Sequence, residues 1–275
     1  MKVKSASVAV AAALGIAVFA TGCAAQPGQS TATPTYQPAA QGAPAPAKPT
    51  VVLVPGAFED ASAWNKVTRE LQAEGFPVVA PAVPLRGVES DTAAVEGVVD
   101  AIRGPKILVG HSYGGLLVSA LATKTTDVTA LVYVAAFIPE VGETAGQLNA
   151  QFPGSLIGPA TTHTISGPAG DDLYVNVESF RELFAAGAPA ADAAVDAAGQ
   201  RPILAAAFEE KVTGAAPANI RKYAIVATED KAIPPAAERF QAQRAGAVIT
   251  EVRSPHAVAA TNPKAVVDVI EQAAG

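Results

Sequence analysis

Residues 106–115 read Lys-Ile-Leu-Val-Gly-His-Ser-Tyr-Gly-Gly, an apolar run that leads into a Gly-x-Ser-x-Gly turn. This pattern predicts a buried strand, a tight turn with Ser112 at its apex, and a helix that follows the turn. A serine in such a turn has a strained backbone, which exposes its hydroxyl at the edge of the sheet. Gly110 and Gly114 are expected to keep the strand and the helix from colliding, because neither carries a Cβ atom.

Elsewhere the chain alternates short apolar runs with stretches of helical periodicity. The runs are rich in β-branched residues and begin at Thr50, Phe76, Val128, Tyr223 and Val248. Continuous apolar runs of this kind are typical of strands that are covered on both faces. The alternation therefore predicts an α/β fold with a doubly wound, mostly parallel sheet of about six strands.

The same patterns predict the bounds of individual elements. We expect strands at 76–81 and 128–137, because both ranges are apolar and end near a proline. A polar loop is expected at 88–91, followed by a helix at 91–102 whose apolar residues recur on one face.

The segment from about 140 to 218 interrupts the alternation of strands and helices. It is rich in alanine, and helical stretches are expected at 177–186, 190–198 and 202–210. The sequence thus predicts one domain from 49 to 275 that carries an inserted helical cap.

The first residues have the pattern of a secretory signal. Lys2 and Lys4 precede an uncharged apolar run from 6 to 20, which is too short for a stable spanning helix. We therefore predict a signal peptide at 1–22. The chain has 19 basic and 25 acidic residues, so without these two lysines its net charge is near −8, which disfavours nucleic acid as a partner.

Cys23 is the only cysteine, so the chain cannot form an intramolecular disulfide. The small residues before it resemble the lipobox of bacterial lipoproteins. By that resemblance the chain would be cleaved before Cys23, diacylated on its sulfur and held by membrane lipid in the cell envelope. Ala20 replaces the usual aliphatic residue three positions upstream, which leaves ordinary secretion as the alternative. The rest of 23–48 is rich in Ala, Pro, Gln, Thr and Gly and predicts a flexible tether.

Polar residues suited to acyl transfer follow three of the predicted strands. These residues are Ser112, Asp230 and His256. The carboxyl ends of parallel strands lie at one edge of a sheet, where ligands bind in such folds, so the three side chains are expected to meet there. Their order along the chain is the order found in α/β-hydrolases.

Five motifs resemble those of the α/β-hydrolase superfamily, and in particular compact bacterial relatives of plant methyl-ester esterases and hydroxynitrile lyases. They are Val-Leu-Val-Pro-Gly-Ala-Phe at 52–58, Gly-His-Ser-Tyr-Gly-Gly at 110–115, Leu-Val-Tyr-Val-Ala-Ala-Phe at 131–137, Thr-Glu-Asp-Lys-Ala-Ile-Pro at 228–234 and Ser-Pro-His at 254–256. The resemblance extends from about Pro49 to the C-terminus. It implies an α/β-hydrolase fold and a serine esterase that acts on small-molecule esters.

The resemblance also implies a role for each site residue. Ser112 would be the nucleophile, His256 the general base, and Asp230 the acid that orients the imidazole. The backbone amides of Ala57 and Tyr113 would form the oxyanion hole.

Other residues compete for some of these roles. Glu229 and Glu140 also follow strands, and both remain alternatives for the acid. His111 is expected to be structural, because its side chain should point away from Ser112. His163 lies in the cap and is expected to be exposed or to line the substrate site.

The oxyanion turn departs from the family at Pro55-Gly56, where relatives usually carry His-Gly. Phe58 and Phe137 also follow strands, and each is either a core residue or a substrate contact. Bulky apolar residues in the cap favour small to medium apolar esters. The sequence has no metal-binding spacing and no dinucleotide motif, so no cofactor is expected.

Two other functions are weighed against an esterase. In hydroxynitrile lyases of this group a lysine directly follows the catalytic histidine, whereas this chain has Ala257, which disfavours a lyase. The other alternative is a non-catalytic surface lipoprotein that uses the fold as a binding module. A binding module has no need for a serine, an acid and a histidine together, which disfavours it too.

Overall fold

The structure is a computed structural model that describes residues 48–275. The predicted signal peptide, Cys23 and the predicted tether up to residue 47 lie outside the described residues. Between 48 and 275, none of the helices has the length and apolar character that crossing a bilayer requires.

Six strands form one sheet, and every pair of neighbours in it is parallel. In spatial order they are β2 (Val78–Val79), β1 (Thr50–Val54), β3 (Lys106–His111), β4 (Val128–Val134), β8 (Arg221–Ala227) and β9 (Val248–Val252). Val54 pairs with Gly110, and His111 pairs with Val134. The central strands therefore end at the same level, which brings the residues after them together. The predicted parallel sheet of about six strands is confirmed.

Helices cover both faces of this sheet. One face packs against α1 (Asn65–Ala73), α8 (Val258–Thr261) and α9 (Pro263–Ala274), and the other against α2 (Val88–Asp100), α3 (Gly114–Leu121) and α7 (Pro235–Arg244). Strand side chains alternate between the two cores. In β3, for example, Leu108 belongs to one core, whereas Ile107 and Val109 belong to the other. Burial on both faces explains why the strands read as continuous apolar runs.

The cap between β4 and β8 is less helical than predicted. It contains α4 (Ala145–Ala150), α5 (Val177–Phe184), α6 (Ala190–Gly199) and an antiparallel sheet of β5 (Thr162–Gly167), β6 (Gly170–Val175) and β7 (Ile203–Leu204). The helix predicted at 202–210 is wrong, because β7 pairs with β6 and only a short 3-10 helix, Ala205–Phe208, follows it. The β5–β6 hairpin was missed because most of β5 is polar and exposed, so it has no hydrophobic alternation.

Two predicted strands are longer than the observed ones. The strand expected at 76–81 is confined to Val78–Val79, at one edge of the sheet. The strand expected at 128–137 ends at Val134, because the next residue, Ala135, has a φ of +44° and leaves the extended conformation.

The loop predicted at 88–91 is also wrong, because α2 begins at Val88. The carboxylate of Glu210, in the cap, accepts hydrogen bonds from the amides of Val88 at 2.8 Å and Glu89 at 2.9 Å. These are the first amides of the helix, which have no partner within the helix itself. A capping group so far away in sequence leaves no signal in the local pattern.

Glycines allow the backbone to pack tightly around the turn after β3. A Cβ atom on Gly110 would lie 2.6 Å from the carbonyl oxygen of Gly114, at the start of α3. A Cβ atom on Gly114 would instead lie 2.6 Å from the carbonyl oxygen of Val54 in β1. Gly110 thus lets β3 and α3 approach without a collision, as predicted, whereas Gly114 makes room for a neighbouring strand.

Replacing Gly110 with alanine should lower the free energy of unfolding by about 2 kcal/mol or more, because the crowded atoms are backbone atoms that cannot rotate away. The matched control is Gly97→Ala in α2, where an added Cβ would have no atom within 4 Å. That variant should be more stable than wild type by about 0.5–1 kcal/mol. Urea denaturation of the two variants measures both effects, and equal changes would contradict the close approach at Gly110.

Candidate active site

Ser112 occupies the turn between β3 and α3 with a φ of +52°, in the left-handed region that favours glycine. Its backbone amide donates to the carbonyl oxygen of Val134 at 3.3 Å. Its carbonyl oxygen accepts from the amides of Gly115 at 3.0 Å and Phe137 at 3.2 Å. These contacts hold the strained residue in place, with its side chain at the wall of a cavity.

His256 and Asp230 are brought together at the same edge of the sheet. Nδ1 of His256 lies 2.5 Å from Oδ2 of Asp230, and both side chains are fully buried. The other oxygen of Asp230 accepts hydrogen bonds from the amides of Ala232 at 2.6 Å and Ile233 at 2.9 Å. The carboxylate is therefore fixed by the turn after β8, and it in turn fixes the orientation of the imidazole.

The two alternative acids have other partners. Glu229 is exposed and forms an ion pair with Arg253 at 2.6 Å. Glu140 is also exposed and lies 3.4 Å from Arg244. The structure thus brings Asp230, and neither of the other two, to the histidine.

The second ring nitrogen of His256, Nε2, is buried and has no hydrogen-bond partner among the described residues. Because Nδ1–H donates to Asp230, the neutral ring carries its lone pair on Nε2. That is the form in which an imidazole accepts a proton. Ser112 and His256 do not form a hydrogen bond in the described structure, and contacts of this kind commonly tighten when substrate binds.

The amides of Ala57 and Tyr113 are the expected oxyanion donors. Within residues 48–275 neither amide donates a hydrogen bond, so both are free to bind an incoming oxygen. The side chain of Tyr113 is anchored separately, since its hydroxyl donates to Oδ2 of Asp91 at 2.9 Å. Burial and the nearby Asp91 carboxyl raise the pKa of the Tyr113 phenol, which keeps it a proton donor.

His111 and Glu59 form a buried pair beside Ser112. Nδ1 of His111 lies 2.7 Å from Oε2 of Glu59, and its Nε2 lies 3.0 Å from the backbone oxygen of His256. Oε2 of Glu59 also accepts the amide of Gly56 at 3.1 Å. Burial opposes both charges, but the contact with Glu59 outweighs it and raises the pKa of His111. Burial is likewise outweighed at Glu59, whose pKa is lowered by the charge and the hydrogen bond of His111.

A second buried carboxyl group, that of Glu238 in α7, lies behind Asp230. Its Oε2 accepts the amide of Ala227 at 3.1 Å, while its Oε1 is buried without a partner among the described residues. Burial and then the charge of Asp230 raise the pKa of Glu238 well above its ordinary value. The protonated form of Glu238 is therefore favoured in the folded protein.

A cavity of about 730 Å³ opens beside Ser112 and is roofed by the cap. Phe58 and Phe137 both lie in its wall, as do His163 and Ala57. Other bulky apolar residues lining it are Phe152, Ile157, Leu173, Phe184, Phe208 and Ile233. His163 is exposed, and its Nδ1 lies 2.7 Å from Oδ1 of Asn176.

Comparison with known proteins identifies the family. Residues 51–269 match the profile of the alpha/beta hydrolase family. The chain belongs to this family. A curated relative, the alpha/beta hydrolase nvfD of Aspergillus novofumigatus (strain IBT 16806), is 26% identical over 254 residues, which cover 83% of this chain and 97% of nvfD.

Solved structures of other proteins share the fold. A pyrethroid hydrolase from Sphingobium faniae JZ-2 superposes with a TM-score of 0.68 and 21% identity, over 82% of this chain and 97% of that protein. Polyneuridine aldehyde esterase superposes with a TM-score of 0.70 and 18% identity, over 82% of this chain and 98% of the esterase. The similar proteins thus include hydrolases and esterases.

Sequence reasoning about this alpha/beta hydrolase missed three buried carboxyl groups around the site. They belong to Glu59, Asp91 and Glu238. Glu59 had one available signal, since it stands three residues after Gly56 in the predicted oxyanion turn. Asp91 and Glu238 lie in helices and have contacts that only the tertiary structure creates.

Replacing Glu238 with glutamine should raise the free energy of unfolding at pH 8 relative to wild type and change it less at pH 5. Because its pKa is raised by folding, Glu238 holds its proton more tightly in the folded protein than in the unfolded chain, which releases it near the ordinary value of 4.5. The folded state binds more protons, so wild-type stability falls as the pH rises above that value. Glutamine carries no titrating proton, and it can still accept from Ala227.

Urea denaturation at the two pH values measures this effect, whose expected size is on the order of 1 kcal/mol. Glu178→Gln, at an exposed position in α5, is the matched control and should show little difference between the two pH values. A Glu238→Gln protein that loses stability relative to wild type at pH 8 would mean that Glu238 is ionised in the folded state.

Proposed function

We propose that this alpha/beta hydrolase is a serine esterase that cleaves carboxylic esters through Ser112, His256 and Asp230. The observation that carries the proposal is the buried contact of 2.5 Å between His256 and Asp230, which leaves the second imidazole nitrogen without a partner. Ser112 lines the cavity under the cap, and its positive φ supports its role as nucleophile.

The proposed reaction has two steps. Oγ of Ser112 attacks the ester carbonyl carbon while Nε2 of His256 takes its proton, and the amides of Ala57 and Tyr113 bind the oxygen that becomes negative. The intermediate then expels the alcohol, which receives the proton from His256, and an acyl-enzyme remains. Water attacks the acyl group with the same histidine as base, and the carboxylic acid leaves as Ser112 regains its proton.

The cavity supports small to medium apolar esters as substrates. Its volume of about 730 Å³ lies within the range found for small-molecule sites, and most of its bulky lining residues are phenylalanines. Ligand sites of this kind are mainly apolar with few polar groups, which fits this wall. The fold shared with a pyrethroid hydrolase and with polyneuridine aldehyde esterase is consistent with an ester substrate.

Replacing Ser112 with alanine should leave the fold intact and reduce the hydrolysis of p-nitrophenyl esters to less than about 1% of wild type, since loss of a triad residue costs several orders of magnitude. His256→Ala should be similarly impaired. A panel of p-nitrophenyl esters of increasing chain length measures both variants and also the acyl preference of the wild type.

Two matched substitutions serve as controls for the proposed triad. His163→Ala removes a histidine from the cavity wall and should retain most turnover, and Glu229→Gln should be much milder than Asp230→Asn.

A fluorophosphonate probe should label wild-type Ser112 and leave Ser112→Ala unlabelled. A folded wild type that neither reacts with the probe nor cleaves any ester would instead indicate a binding module.

We also propose that the protein is exported and anchored to membrane lipid through Cys23. The support is the charged and apolar pattern of residues 1–22 and the lone cysteine that follows it. Two acyl chains on one cysteine would give stable attachment, whereas one chain gives only marginal binding.

Replacing Cys23 with alanine should therefore release the protein from membranes without changing the specific activity of the hydrolase domain. Detergent phase partitioning of both forms measures the attachment, and hydrolysis of a p-nitrophenyl ester measures the activity. A wild type found wholly in the aqueous phase would support ordinary secretion.

A further inference from the structure

The positions of the protons in the Glu59–His111 pair follow from its hydrogen-bond partners. The backbone oxygen of His256 can only accept, so Nε2 of His111 carries a proton. Oε2 of Glu59 accepts from the Gly56 amide and, when ionised, requires a second proton on Nδ1 of His111. The lowered pKa of Glu59 and the raised pKa of His111 favour this charged form, an imidazolium and a carboxylate with side chains that are 3% and 11% exposed.

This pair holds the turn that carries Ala57. Pro55 has neither an amide hydrogen nor a polar side chain with which to anchor that turn. The amide of Gly56, one peptide before Ala57, is held by Glu59. A Cβ atom on Gly56 would lie only 2.8 Å from Cβ of Ser112, so the turn rests directly against the proposed nucleophile.

The His111 ring has little freedom to find other partners. Its centroid lies 4.6 Å from the centroid of the His256 ring, and the indole of Trp64 packs against it edge-on at 6.2 Å. One path of contacts thus joins the oxyanion turn, the residue before Ser112 and the loop of the proposed base.

We propose that Glu59 and His111 are positioning residues, a charged pair that fixes the amide of Ala57 relative to Ser112 and so sets the turnover rate. The proposal rests on the proposed ester hydrolysis. Neither side chain acts on the substrate. Their effect passes through the orientation of a backbone amide that binds the developing negative charge.

Glu59→Gln tests this role with almost no change of shape. One carboxylate oxygen accepts from both Gly56 and the imidazolium, whereas a side-chain amide presents either an oxygen or an NH₂ group at that place. The variant must lose one of the two contacts or leave His111 charged without a counter-ion. We expect kcat for a p-nitrophenyl ester to fall by about 10- to 100-fold while KM stays within about twofold.

Inhibition by trifluoroacetophenone gives a second readout, because its adduct with serine carries a negative oxygen that needs the same amides. Affinity for this inhibitor should weaken by about the same factor as kcat. Glu143→Gln is the matched control, because Glu143 pairs with Arg244 at 2.6 and 2.7 Å and contacts none of the proposed catalytic residues. Its kcat and its affinity for trifluoroacetophenone should remain near those of wild type.

A measurement on the wild type keeps the proposal testable if Glu59→Gln does not fold. The chain has three histidines, so their side-chain NMR signals are few. At pH 7 both ring nitrogens of His111 should carry protons in a ¹⁵N-edited spectrum. A His111 ring with one unprotonated nitrogen would overturn the charged pair.

The other outcomes separate this proposal from the proposed function. An active wild type together with a Glu59→Gln protein of unchanged kcat would overturn the positioning role alone. An equal loss of kcat in Glu143→Gln would overturn it too, because the effect would then follow from any lost ion pair. A wild type without ester turnover would overturn the proposed function, and the positioning role with it.

Discussion

The backbone of Ser112 has a φ of +52° in the tight turn between β3 and α3, and the structure around it sustains that conformation. A non-glycine residue in this region costs on the order of 1–3 kcal/mol, so neighbouring contacts must over-determine it. Val134 accepts its amide hydrogen, and the amides of Gly115 and Phe137 bind its carbonyl oxygen. Gly110 lets β3 and α3 approach closely enough for these contacts to form. The ends of three central elements thus meet at one serine.

The carboxyl groups buried near this turn differ in charge because they differ in the donors that face them. Glu59 receives a backbone amide and the proton of His111, which outweigh the cost of burying a negative charge. Glu238 receives one amide, that of Ala227, and burial together with the negative charge of Asp230 raises its pKa. Asp230 itself is surrounded by donors on both of its oxygens. The ionised form of a buried carboxyl group is therefore favoured where several hydrogen-bond donors surround it.

The sequence contained the elements of the central sheet and the order of its polar residues, because both are local patterns. Ser112, Asp230 and His256 each follow a strand, and the parallel sheet brings the two buried partners together. The β5–β6 hairpin was not predictable, since its exposed and polar residues lack a period of two. Two other features were missed because each depends on a partner that is distant in the chain. Glu59 pairs with His111, and the early start of α2 is capped by Glu210.

The hydrogen bonds between Glu210 and the start of α2 limit how the cap can be exchanged to change the substrate range. Because the cap supplies the group that caps the first turn of α2, a helix packed on the central sheet, cap and sheet are not interchangeable modules. The loop before α2 has further ties to the cap, since Arg86 pairs with Asp172 at 2.5 Å and binds the backbone oxygen of Pro202. A chimera that borrows its cap from a homologue would have to import residues 84–91 as well, so that loop and cap are exchanged as one unit.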